Sequence, residues 1–152
     1  MSNKDVAVVE KKSLVKGLVA GLIGGLIATA AKTLAERMFP PHSEPEPQRP
    51  GVAAYDLTPA ARAAAGIHWG FGATVGAAYG ALAEYYPAAS SRDGVNFGMT
   101  LMALTHESGV QSLGVPTAPV DQTTREKTSE VASHIIFGLV AETTRRLVRK
   151  ML

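Results

Sequence analysis

The sequence predicts an all-α fold: a four-helix transmembrane bundle, N-in and C-in, held together by Gly-rich helix packing. Three observations predict it. Charged residues gather at 1–16, 36–56, 121–130 and 142–150, leaving apolar blocks rich in Ala and Gly between them, which is the segregation membrane spans require. The stretch from Gly66 to Pro87, GIHWGFGATVGAAYGALAEYYP, contains no Lys or Arg, and at the helical rise it reaches across a hydrocarbon core roughly 30 Å thick. Glycines recur every fourth residue, at Gly17, Gly21 and Gly25, at Gly66 and Gly70, and at Gly72, Gly76 and Gly80, making grooves where two backbones can approach closely.

At 152 residues the chain is one domain, 1–152, or less than one if it belongs to a larger assembly. Its mean hydropathy of +0.09 averages apolar blocks with charged links and hides the pattern. The absence of cysteine removes disulfides and thiolate chemistry. No small-x-small cleavage site ends the first apolar helix, so that helix reads as an uncleaved span and the whole chain is expected to persist. The net charge of +2 is small, and the basic residues cluster at Lys11, Lys12 and Lys16 and again at Arg145, Arg146, Arg149 and Lys150. No aromatic residues interleave with them for base stacking, so they read as cytoplasmic flanks of membrane helices and not as a nucleic-acid surface. The expected partners are the lipid bilayer and other membrane subunits or further copies of the chain.

The first span covers about 14–36, with Lys16 placed to snorkel and Lys32 one turn before Glu36, so that the two can pair on one face. Six prolines between 40 and 59 exclude a regular helix and predict an external loop over 37–59. Thr58 is placed to cap the second helix, with Pro59 at its first position. The second span, about 60–86, stops at Pro87, and the short polar link after it makes spans two and three antiparallel neighbours. The third, about 94–113, is interrupted by His106, Glu107 and Gln111. A second external loop follows at 114–127. Thr128 or Ser129 is then placed to cap the fourth helix, about 128–148, whose apolar part at 131–141 is too short to cross lipid unless neighbours shield it. Four spans put both termini, and both basic clusters, on one side. A soluble four-helix bundle is the alternative, but the first helix is apolar on nearly every face, which an amphipathic bundle helix is not.

His68, His106 and His134 each lie seven or eight residues from the outer ends of their helices, roughly 10–12 Å deep. With Glu107 beside His106 they form a candidate polar cluster. Three imidazoles and a carboxylate suit Zn, Cu or Fe by ligand type, so a divalent metal or haem is one reading. A protonatable hydrogen-bond network and plain helix packing are the others. No cofactor is assigned. At the inner edge Glu142 precedes Arg145 and Arg146 by three and four residues, a spacing for ion pairs on one face, and Glu84 can join them. No Ser-His-Asp set, paired acid or phosphate loop is present, so no catalytic residue is assigned and the chain is not expected to be an enzyme. The expected role is an accessory or structural subunit of a membrane complex, or a homo-oligomer. The competing class is a small transporter or proton- or ion-handling protein that uses the His/Glu cluster.

The order His68, Phe71, Tyr79, Glu84, Pro87, together with Lys32, Glu36 and Pro40-Pro41, His106, and the closing Ser129-Glu130, His134, Glu142, Arg145-Arg146 and Arg149, resembles the YagU-like bacterial inner-membrane proteins, a family grouped under a domain of unknown function. The resemblance covers about 14–150. Two features depart from it: a shorter first external loop, and Glu107 where an apolar residue is expected. It implies a helical membrane fold in the bacterial inner membrane and supplies no reaction.

Overall fold

A computed structural model describes residues 11–40, 59–107 and 123–152, with the side chains of residues 60, 61, 64, 106 and 107 outside that set. Among the described residues the fold is all-helical, with α1 (Leu14–Met38), α2 (Pro59–Tyr85), α3 (Val95–Met102) and α4 (Thr124–Met151). Of the predicted loops at 37–59 and 114–127, residues 41–58 and 114–122 lie outside the described residues, as do the capping role of Thr58 and the end of the third span at 108–113, while residues 37–38 and 124–127 are helical.

Helix α1 starts where it does because Ser13 is extended (φ −143°) and its hydroxyl accepts the Lys16 N–H, relieving one of the helix's orphan donors. Its buried face is built of small residues, Gly17, Ala20, Gly21, Gly24, Gly25, Ala28 and Thr29, at alternating spacings of three and one. Its large residues, among them Leu18, Leu22, Ile27 and Leu34, point outward and are exposed. This inverts the water-soluble pattern, in which the bulky apolar residues are inside. The small face lies between α2 and α4.

Along α1 and α2 the backbones touch. A Cβ added at Gly76 would sit 2.5 Å from Gly25 Cα, and one added at Gly80 would sit 2.6 Å from Gly21 Cα. The predicted grooves of Gly17, Gly21 and Gly25 and of Gly72, Gly76 and Gly80 thus face one another. Gly66 and Gly70 are a correction to the expected packing rows, since nothing lies within 4 Å of a Cβ at either. The reason is helical phase: Gly70 and Gly72 are two residues apart, about 200° round the helix, so the earlier row points away from α1. The sequence reading also missed Gly24, which is close to Ala141 O (2.7 Å to an added Cβ), and the meeting of Gly98 and Gly138 between α3 and α4.

The link Pro87–Gly94 turns through Arg92, Asp93 and Gly94 at positive φ (52°, 54° and 86°). Gly94 is seated so closely on α4 that a Cβ there would be 2.7 Å from Glu142 Cβ, so both its dihedral and its neighbours demand glycine. After α3 the helix widens into a π turn at Ala103–Glu107. Helix α4 begins four residues before the predicted start. Thr123 and Glu126 form a reciprocal capping box, the Thr-x-x-Glu signature of a helix start. Thr128 and Ser129 are not caps: Thr128 Oγ1 donates to Thr124 O inside the helix, and Ser129 Oγ donates to Phe39 O at the end of α1. Among the described helices only α1 is long and apolar enough by itself to cross a membrane. The all-helical reading thus stands for the described residues.

Candidate functional site

The start of α1, the end of α2 and the end of α4 meet at one end of the bundle, and the predicted inner-edge charges are gathered there. Glu142 is wholly buried. Its carboxylate accepts from Tyr79 Oη (2.7 Å), Arg145 Nε and Nη2 (2.7 and 2.8 Å) and Arg146 Nε (2.6 Å). These four donors come from α2 and α4 and cover both oxygens, which is what a buried carboxylate requires to remain charged. Arg146 also reaches Asp93 in the link, at 2.8 Å. The left-handed backbone at Asp93, tolerated by Asp more readily than by most residues, positions that carboxylate.

Glu84 does not join Arg145 or Arg146. It is held by Arg149, whose Nε and Nη2 donate to its two oxygens at 2.9 and 2.7 Å, and it accepts the Ser13 N–H at 2.7 Å. Arg149 Nη2 also donates to Lys11 O at 3.1 Å. One fork-to-fork pair therefore ties three chain segments together. Residues 142, 145 and 149 recur at i, i+3 and i+7, so all three sit on one face of α4. Reading only i+3 and i+4 neighbours found Arg145 and Arg146 and left Arg149 out. Tyr79 was visible only as a motif position. Its ring stacks on Phe97 (centroids 4.0 Å apart, planes at 9°), and Phe97 meets Phe137 at 5.9 Å, so an aromatic column across α2, α3 and α4 aims the phenol at Glu142.

Toward the opposite end, a cavity of about 190 Å³ is lined by Thr29, Lys32, His68, Phe71, Thr105 and His134, among others. Two of the three predicted histidines therefore border one space. His134 is buried, with Nδ1 donating to Glu130 O at 2.9 Å. His68 is exposed, its Nε2 3.2 Å from Thr33 Oγ1. The Thr33 hydroxyl donates to Thr29 O, so its oxygen is the acceptor for His68. His106 and Glu107 lie on the π turn, and their side chains are outside the described residues. Among the described residues no three His, Cys, Asp or Glu side chains gather as metal ligands. Lys32 pairs with Glu36 one turn on, at the cavity's outer rim.

No curated protein and no solved structure matches the chain. Residues 26–143 match the family described as "Protein of unknown function (DUF1440)". That match takes in parts of α1 and α4, all of α2 and α3, and Glu142, and it extends over most of the 152 residues, so the chain belongs to this family.

Proposed function

We propose that the chain is a multi-pass protein of the bacterial inner membrane, with its basic end in the cytoplasm, and that it serves as an accessory or structural subunit of a membrane complex or of its own oligomer. The observation that carries the reading is the inversion of inside and outside. Glycine, alanine, Thr29, Ser133, His134 and Glu142 make up much of the interior, beside Tyr79, Leu101, Phe137 and Val148, while many Leu, Ile, Val, Phe and Trp side chains of α1, α2 and α4 face outward. Water would penalise such a surface, whereas lipid is as apolar as those side chains and leaves close backbone packing and polar pairing to hold the helices together. Lys11, Lys12, Lys16, Arg92, Arg145, Arg146, Arg149 and Lys150 belong to the end where Ser13, Glu84 and Arg149 meet, the placement expected of a cytoplasmic face. The resemblance to YagU-like inner-membrane proteins supports the same compartment. Among the described residues α3 is eight residues long and packs mainly on α4, and Leu18, Leu22 and Ile27 of α1 and Ile67 and Leu82 of α2 are exposed, which suits a partner within the membrane.

The test is native mass spectrometry after extraction in a mild detergent. A stoichiometric complex or a defined homo-oligomer is expected. A monomer that moves ions in liposomes would defeat the subunit reading. It would favour the second one, a proton- or ion-handling protein, for which the specific support is the cavity shared by His68 and His134. On that reading, replacing both histidines with Gln abolishes flux and leaves the assembly unchanged.

A further inference from the structure

We propose that the open cavity between Lys12, the end of α2 and the basic end of α4 binds a phosphate group, supplied by an anionic phospholipid headgroup or by free phosphate. The proposal rests on the membrane reading above only for the lipid source. The cavity, about 290 Å³, is lined by Lys12, Glu84, Arg145, Arg146, Arg149 and Lys150. The ion pairs around it use three arginines and three carboxylates, Glu84, Glu142 and Asp93. Those charges cancel, and Lys12 and Lys150 remain as a surplus of two.

Donors remain as well as charge. Arg145 spends Nε and Nη2 on Glu142, and Arg146 spends Nε on Glu142 and Nη1 on Asp93. Arg145 Nη1 and Arg146 Nη2 make no hydrogen bond among the described residues, and no buried side-chain nitrogen there lacks a partner. Both arginines line the cavity, so these two nitrogens are the donors they have left for a ligand there. Among the described residues Lys12 Nζ has only a 3.3 Å bond to Tyr85 O and a position 6.0 Å from the centre of the Tyr85 ring, and Lys150 makes no ion pair. Two guanidinium edges, fixed by their bonds to Glu142, and two exposed ammonium groups thus border one space. A tetrahedral oxyanion, with oxygens directed to several sides, takes up such donors better than a planar carboxylate, and guanidinium forks match its geometry. Basic pockets between helices on the cytoplasmic side hold acidic headgroups in this way.

The experiment compares the full chain with the Lys12→Gln/Lys150→Gln variant, which leaves Glu84 and Glu142 with all their arginine partners. In the first arm, nanodiscs of dioleoylphosphatidylglycerol mixed with dioleoylphosphatidylcholine are solubilised, and retained lipid is read by native mass spectrometry. In the second, inorganic phosphate is titrated calorimetrically into the protein in a zwitterionic detergent. Preferential retention of one phosphatidylglycerol per chain, weakened roughly thirty-fold in the variant, supports the lipid source. Saturable phosphate binding lost in the variant, without lipid preference, supports the free anion. The proposal is overturned if neither anion binds, or if binding is undiminished in a variant whose melting temperature is unchanged. Alkaline carbonate extraction separates the two failures. Release of the chain from membranes defeats the membrane reading while the phosphate arm still decides the site, and a chain that stays embedded but binds neither anion defeats the site alone.

Discussion

Gly76→Ala is the most discriminating change in the bundle. The new methyl would lie 2.5 Å from Gly25 Cα and 2.8 Å from Gly25 N, where ordinary carbon contacts begin near about 3.5 Å. Both obstacles are backbone, so no side chain can swing aside, and α1 and α2 must separate by roughly 1 Å along a seam where Gly21 and Gly80 are equally close. Overpacking of this kind costs about 1–3 kcal/mol. Alanine's better helix propensity offsets up to about 1 kcal/mol of that. Gly70→Ala on the same helix is the matched control: it gains the same propensity and meets nothing within 4 Å. The two variants should differ by about 1–3 kcal/mol in stability, or roughly 2–12 °C in melting temperature, with Gly76→Ala the less stable. The assay is thermal unfolding in mild detergent followed by circular dichroism. Equal melting temperatures, or a greater loss for Gly70→Ala, would refute the close approach of α1 to α2.

Three further outcomes follow from the charge network. Glu142→Gln removes the charge that neutralises the buried Arg145, and should destabilise by about 3–5 kcal/mol in the same unfolding assay; a loss under 1 kcal/mol on the same scale would mean that water reaches the site. Tyr79→Phe keeps the ring on Phe97 and deletes only the bond to the carboxylate, so a loss of about 1.5–3 kcal/mol is expected. In contrast, Arg149→Gln should free the Ser13 end of α1, read as faster amide exchange over 13–17 while the centre of α2 stays protected; unaltered exchange there would show that the Glu84 pair does not anchor α1.

Much of the architecture was legible because helices are marked by simple signals. Apolar length placed α1, Pro59 and Pro87 bounded α2, and four-residue glycine spacing found the α1–α2 seam. What failed did so for local reasons. Spacing alone does not say which of two overlapping rows faces a neighbour, so Gly66 and Gly70 were read like Gly72 and Gly76. Thr128 and Ser129 looked like caps because the apolar run begins after them, while the true start is set by Thr123 and Glu126 in polar sequence upstream. Gly138 escaped because it stands alone in α4, its partners Gly94 and Gly98 lying in the preceding link and in α3. In the site, Glu142 with Arg145 and Arg146 was readable from spacing within one helix. The pair of Glu84 with Arg149 was not, since the two are 65 residues apart and only the packing of α2 and α4 brings them together.

The central claim is that the bundle is embedded in the membrane with its basic end in the cytoplasm. Because the chain has no cysteine, Ser43→Cys in the Pro-rich segment and Ala88→Cys in the exposed link after α2 would each be its only thiol. Labelling of spheroplasts with a membrane-impermeant maleimide, followed by carbonate extraction, reads topology and insertion together. The account predicts that Ser43→Cys labels in intact spheroplasts, that Ala88→Cys labels only after lysis, and that both variants stay in the carbonate-resistant pellet. Labelling of Ala88→Cys in intact spheroplasts, or release of either variant by carbonate, would contradict it.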